Sequence, residues 1–419
     1  MPTHNQDAAA LATPAVTTAE QARAKTASAY SPDLSGHLPP LDGIRGLAIL
    51  LVLLCHYVTV FWKPEFQAAV GMSEPVKVLY HLLSCGWIGV DLFFVLSGFL
   101  ITGILYDARA TPHYFKNFYM RRILRIFPLY YGVLLVIFLI VPIVQHAMGK
   151  HSAVQDQLYW WLFAANIAIA YSGQFQGSIG IYWSLAVEEH FYFVWPAVVR
   201  FLSRRAIMQL CAGLIVGALA LRIFLTARGY SFTYICVMTP TRIDALALGS
   251  LLALAARGPA GIRPLIIPAW ITFTLTLPAV LIILLGTPMF YDQTPIAMQT
   301  IGFTLQAFCF GSILILSIGR PPGSLFARFF SSPFMTFLGK YSFGIYMLHF
   351  MFVGPLSSMF KPKHMGRWVG YLPVQLLLPL LGLIVSSAVA VASYHLYEKH
   401  FLGLKRFFPY ARTVSPRRP

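Results

Sequence analysis

"LDGIRGLAILLVLLCHY", residues 41–57, is almost wholly apolar, yet it carries Asp42, Arg45 and His56. Arg45 and His56 stand eleven residues apart. At about 100° per residue this is a rotation of about 1100°, roughly 20° beyond three full turns of an α-helix. The cation and the imidazole therefore share one helix face, about 16 Å apart along the axis. A helix this apolar is long enough to cross a bilayer, so the two groups line one wall inside a membrane domain.

The rest of the chain agrees. Of 419 residues, 58% are hydrophobic and 11% charged, against about 25% charged in soluble domains. Apolar stretches at 41–62, 87–107, 122–145, 184–202, 206–226, 241–256, 265–286, 297–318, 334–354 and 372–397 predict an all-α, polytopic membrane bundle of about ten spans. An eleventh stretch, "LYWWLFAANIAIAY" at 158–171, is short for a crossing.

The net charge of +17 sits in short loops and at the C-terminus, without an aromatic-interleaved basic domain. It reads as a positive-inside signal and not as a nucleic-acid footprint. If 158–171 is re-entrant or lies on the surface, the clusters Arg109–Arg125, Arg200–Arg205, Arg257 with Arg263, Arg320–Lys340 and Lys399–Arg418 all fall on one side. The rule makes that side, and both termini, cytoplasmic. "KPKHMGRW" at 361–368 dissents, being basic on the opposite side. Residues 1–40 are rich in Ala, Thr and Pro and lack a signal-peptide pattern, so they are expected to form a disordered cytoplasmic tail. The membrane domain is expected over 41–398, and a basic tail over 399–419. His37 and Asp42 have the H-x4-D spacing of some soluble acyltransferases, but the two prolines between them argue against a working motif.

Several polar residues fall within the spans. His56, Asp91, Glu188, Glu189, Arg242, Asp244 and His349 are predicted at similar depth, in the outer halves of their helices. Intramembrane ionisable groups are costly and usually face a bundle interior, so one outward-opening polar cavity is expected. Asp91 is either part of a packing stripe with Gly98 and Thr102 or a carboxylate that orients a nearby base. Arg121, Arg122 and Arg125 lie within about a 100° arc. They are either anchors at the cytoplasmic end or a phosphate clamp, since the guanidinium fork matches phosphate oxygens.

Glu188 and Glu189, entering the membrane beside His190, are hard to explain as packing; His190 itself reads as an aromatic-belt residue. Arg242 and Asp244 are two apart, so each needs a partner on another helix. With His349, which also suits a membrane interface, they are candidates for acceptor binding. Cys85 and Cys236 precede spans on the predicted outer side, where an oxidising exterior permits a disulfide. No G-x-S-x-G elbow and no H-E-x-x-H metal spacing occurs.

Six stretches together, "LDGIRGLAILLVLLCHY", "GVDLFFVLSGFLI", "RRILRIFPLYY", "WSLAVEEHFYFVWP", "RIDALALG" and "YSFGIYMLHF", resemble the acyltransferase-3 family in type and order. These are bacterial membrane acyltransferases that O-acetylate surface polysaccharides and some antibiotics. The resemblance implies that Arg45 with His56, and Arg122 with Arg125, are essential. It also implies a cytoplasmic acyl-CoA donor, above all acetyl-CoA, and a carbohydrate hydroxyl outside as acceptor. Many such proteins carry a C-terminal SGNH hydrolase-like domain, which is not expected here.

The expected function is thus a membrane O-acyltransferase of the bacterial inner membrane, needing no metal. In this reading His56 is the general base, helped by Glu188, Glu189 or Asp91, and Arg45, Arg121, Arg122 and Arg125 hold the CoA phosphates. The rival is a secondary transporter of a small anionic or sugar substrate, which should show internal repeats; none is evident.

Overall fold

The structure, a computed structural model, describes residues 30, 32–61, 74–149, 156–286, 295–359 and 371–410. Each of the ten predicted stretches contains a helix: α1 Pro39–Phe61, α2 Gly89–Asp107, α3 Tyr114–Leu135, α4 Trp183–Phe201, α5 Arg204–Ala227, α6 Thr239–Ala256, α7 Ile266–Leu285, α8 Phe303–Ile318, α9 Pro333–Met359 and α10 Tyr371–Ser393. Among the described residues there is no strand, and eight helical segments are long and apolar enough to cross a membrane. The two that fall short are α4 and α9, which carry Glu188, Glu189, His190 and His349. Their polar residues lower the hydropathy, and neighbouring helices shield them.

The stretch 158–171 breaks into two short helices, Leu158–Trp161 and Ala165–Ser172. Four and eight residues rise only about 6 and 12 Å, far less than a bilayer's roughly 30 Å core. Tyr130 and Tyr131 hold the first piece by donating to the Trp160 and Trp161 carbonyls at 2.6 and 3.1 Å.

Small residues set the closest approaches. A Cβ on Gly98 would strike the Leu246 backbone of α6, and one on Gly249 would strike Val95 of α2. The Asp91–Gly98–Thr102 stripe is thus a packing seam, locked where Thr102 donates to Ser250 Oγ at 2.8 Å. Gly43 and Gly46 of α1 likewise meet Phe330 and Met335.

The loops with basic residues converge at one end. Arg109 donates to the Arg200 carbonyl and Arg204 to Leu254. Arg257 pairs with Asp107 at 2.8 Å and reaches the Leu34 carbonyl. The basic stretch 361–368, which dissented from this pattern, lies outside the described residues, as does most of the N-terminal tail.

Cys85 and Cys236 are free and buried, each about 5% exposed, so the bridge that an outer position would permit is not formed. Cys85 points at the Leu284 carbonyl, and Cys236 accepts a long contact from Arg242. A membrane-impermeant maleimide should therefore leave both thiols unmodified until the protein is denatured. Labelling of the native protein within minutes at either position would contradict this packing.

Candidate active site

Helix α1 presents Arg45 and His56 as its periodicity requires. His56 Nδ1 lies 2.9 Å from His349 Nε2 of α9, and the two rings stack with centroids 5.1 Å apart. His349 is completely buried. Its Nδ1 lies 2.9 Å from the Tyr346 carbonyl and 3.1 Å from that of Ile345. Carbonyl oxygens only accept, so Nδ1 of His349 carries the hydrogen and its Nε2 is the acceptor. His56 Nδ1–H is then the donor, and His56 Nε2 carries the lone pair. Tyr57 braces the pair by donating to the His349 carbonyl at 3.2 Å and bonding Ser386 at 2.6 Å. Phe350 closes one side of His56 edge-on.

At the other end of α1, Arg45 lines a cavity between α1, α2, α3, α4 and α9. The cavity is amphipathic. Arg45, Arg122, Arg125 and Glu188 mark its polar end, while Leu96, Leu100, Ile101, Ile104 and Leu185 supply apolar wall. It extends to Ser184 and Tyr346, and Tyr346 stands one helical turn before His349. The Tyr346 hydroxyl bonds Ser184 at 2.6 Å and donates to the Ile181 carbonyl at 2.5 Å, and His56 is not among the residues that line the cavity.

Arg122 and Arg125 donate no hydrogen bond to any described residue. The Arg122 guanidinium lies 5.8 Å from the ring centroids of Phe118 and Tyr192, with its Nε buried and unpartnered. Arg121 faces elsewhere, donating to the carbonyls of Lys405 and Phe408 at 3.1 and 3.0 Å and lying over Tyr410. Asp42 bridges Arg45 and His37. The prolines between His37 and Asp42 therefore do not separate them, but His37 remains exposed.

The carboxylates expected beside His56 are engaged elsewhere, because their helices turn them to other neighbours. Asp91 pairs with Arg242 at 2.5 Å, both 1% exposed. Arg242 also lies over the Phe303 ring, 3.7 Å from its centroid. Asp244 pairs with Arg222 at 2.8 Å, a partner that the sequence reading passed over. A lone arginine in the last third of an apolar helix was the available signal. These two ion pairs sit inside the packing and not on an outward-opening cavity.

Glu188 sits with Ser97, Tyr192 and the arginines Arg122 and Arg125. Glu189 has a buried Oε1 without a partner and lies within electrostatic reach of Glu188, Arg122, Tyr130 and Tyr131. His190 bonds Thr239 at 2.8 Å. The histidine–histidine pair was not foreseen, since no local pattern joins positions 293 residues apart.

Comparison with known proteins places this arrangement. The chain is 27% identical over 358 residues to the peptidoglycan O-acetyltransferase OatA of Listeria monocytogenes, covering 81% of this chain and 53% of that protein. It is 27% identical over 410 residues to the O-acetyltransferase OatA of Staphylococcus aureus, covering 92% of this chain and 61% of that one. A putative O-acetyltransferase of Staphylococcus aureus strain COL is 26% identical over 368 residues. The chain thus spans between half and two thirds of the length of these relatives. No solved structure matches it. Residues 39–395 match the acyltransferase domain of the acyltransferase-3 family, and the chain belongs to that family.

Proposed function

We propose that the protein is a membrane O-acyltransferase that moves an acyl group, acetyl first among them, from a CoA thioester to a carbohydrate hydroxyl. The observation that carries this reading is the geometry of α1. An imidazole with a defined free lone pair stands at one end, and a cavity with arginines free of hydrogen bonds opens at the other. Phosphates suit the arginine forks, and a flexible, weakly polar pantetheine arm suits the apolar walls. The basic helix ends gathered near the arginines support a cytoplasmic donor side in a bacterial inner membrane. The acceptor then approaches His56 from the outer side, and both termini are cytoplasmic.

In the reaction, His56 Nε2 takes the proton of the acceptor hydroxyl as its oxygen attacks the thioester carbonyl. The tetrahedral centre collapses with cleavage of the carbon–sulfur bond. The proton passes from the imidazolium to the departing thiolate. Throughout, His56 Nδ1–H keeps its bond to His349 Nε2, so no ring has to turn. The likeness to a peptidoglycan O-acetyltransferase favours a peptidoglycan or related glycan acceptor.

The reading is tested by thiol release from acetyl-CoA on purified protein in nanodiscs, with and without glycan acceptors. Acceptor-dependent release supports it, and transport of a sugar or anion without acylation overturns it. Arg122→Ala and Arg125→Ala should each weaken CoA binding by about tenfold or more, the worth of a charge-assisted hydrogen bond. Unchanged affinity in both variants would make these arginines topological anchors only.

A further inference from the structure

Beside the first cavity lies a second, which shares Arg45 and Arg125 with it. Its wall holds four cationic side chains, Arg45, Arg125, Lys340 and Lys405, and two carboxylates, Asp42 and Glu398. Both carboxylates are engaged: Asp42 with Arg45 and His37, and Glu398 as acceptor from Ser393 at 3.0 Å. Lys340 lies over the rings of Tyr341 and Tyr394. The Lys405 ammonium and the Arg125 guanidinium have no hydrogen-bond partner among the described residues. Basic groups thus outnumber acidic ones on this wall. A phosphate monoester carries about −1.5 to −2 at neutral pH and offers three acceptor oxygens.

Lys405 comes from outside the family match, which ends at residue 395. It lies on a strap that follows α10, formed by the short helix Lys399–Gly403 and the 3-10 turn Leu404–Phe407. The strap is latched onto α3. Arg121 donates to two of its carbonyls and stacks on Tyr410. Asn117 donates to the Pro409 carbonyl at 2.8 Å. The Tyr397 hydroxyl, just ahead of the strap, donates to Pro128 at 3.2 Å. The latch has a result at the cavity: it fixes the backbone of Lys405 at the wall.

We propose that this second cavity binds the phosphomonoester of the coenzyme A donor, with Lys405 as a phosphate-binding side chain delivered by the strap and Arg121 as the positioning residue that holds it. The proposal rests on the CoA reading above and adds a binding residue to it. Anionic lipid headgroups carry the same chemistry, so the test separates the two sources.

Affinities for CoA and for dephospho-CoA are measured by calorimetry on the full chain, in nanodiscs of phosphatidylcholine and of phosphatidylglycerol. Wild type is compared with Lys405→Ala, Lys405→Arg, Arg121→Ala and Arg125→Ala. Lys405→Ala should bind CoA about 10- to 100-fold more weakly and dephospho-CoA as well as wild type does. Lys405→Arg should recover most of the loss, and Arg121→Ala should show the same selective defect as Lys405→Ala. Equal weakening toward both ligands would mean a structural role only, and unchanged CoA affinity would remove Lys405 from the site. An effect confined to phosphatidylglycerol discs would assign the cavity to a lipid headgroup. Each of these outcomes overturns the proposal. If Arg125→Ala weakens CoA while Lys405→Ala does not, the donor reading stands and only the strap's part falls. If wild type binds no CoA, both fall.

Discussion

Replacing His56 by alanine should lower acyl transfer by about 10²- to 10⁴-fold, the usual contribution of a general base, while CoA affinity stays near wild type. In the proposed reading the donor's phosphates sit at Arg45, about 16 Å from His56 along α1, which is why binding and turnover should separate. His349 supplies the finer test. In water an imidazole shares its hydrogen between both nitrogens, and here the bond at His56 Nδ1 reserves Nε2 for the reaction. His349→Ala removes that acceptor and leaves His56 Nδ1–H without it. Turnover should then fall by about tenfold or more, in the direction of the larger losses seen when a triad carboxylate no longer sets the tautomer. His349→Gln, whose amide oxygen can accept the same hydrogen, should recover part of the loss; a purely space-filling role for His349 predicts no such recovery. Turnover in His56→Ala above about a tenth of wild type would remove the general-base role.

What could be read in the sequence follows from the period of the helix. Arg45 and His56 align because both lie on α1, and Arg122 and Arg125 cluster because both lie on α3; 3.6 residues per turn settles these relations without a fold. Hydropathy marked where the helices lie. It did not give the direction in which each helix faces its neighbours. Asp91 and His56 look like partners when depth is the only coordinate, yet α2 turns Asp91 to Arg242, 151 positions away. Glu188 lay close to His56 by the same reasoning, and α4 turns it to the arginines. Lys405 was hidden for a different reason. A basic residue after a last span already satisfies the positive-inside rule, so its charge carried no further signal until the strap was seen to fold back on α3. The stretch 158–171 was legible because it is short for a crossing and the basic loops on either side of it argued the same way.

The buried pairs lead to the largest expected change in stability. Arg222 is fully buried in α5, and four of the five N–H donors of its fork are engaged by α6, by the segment leading into α8 and by α8 itself. It donates to Asp244 at 2.8 Å, to the carbonyls of Thr241 and Thr300 at 2.5 and 3.0 Å, and to Thr304 Oγ1 at 2.5 Å. Thr304 donates in turn to the same Asp244 oxygen at 2.9 Å. Asp244→Ala would leave the guanidinium in place with its charge uncompensated, at a cost of about 3–5 kcal/mol. Replacing both partners by apolar residues of similar size, Arg222→Met with Asp244→Leu, removes the charge as well as its partner and should restore most of that stability. Unfolding in graded sodium dodecyl sulfate measures each variant against wild type. The double variant also decides whether Asp244 touches the acceptor, as the sequence had suggested. A stable double variant with unchanged KM for the glycan confines the pair to holding α5, α6 and α8 together. A stable double variant with a raised KM would return Asp244 to the substrate, and Asp244→Ala within about 1 kcal/mol of wild type would contradict the buried pair itself.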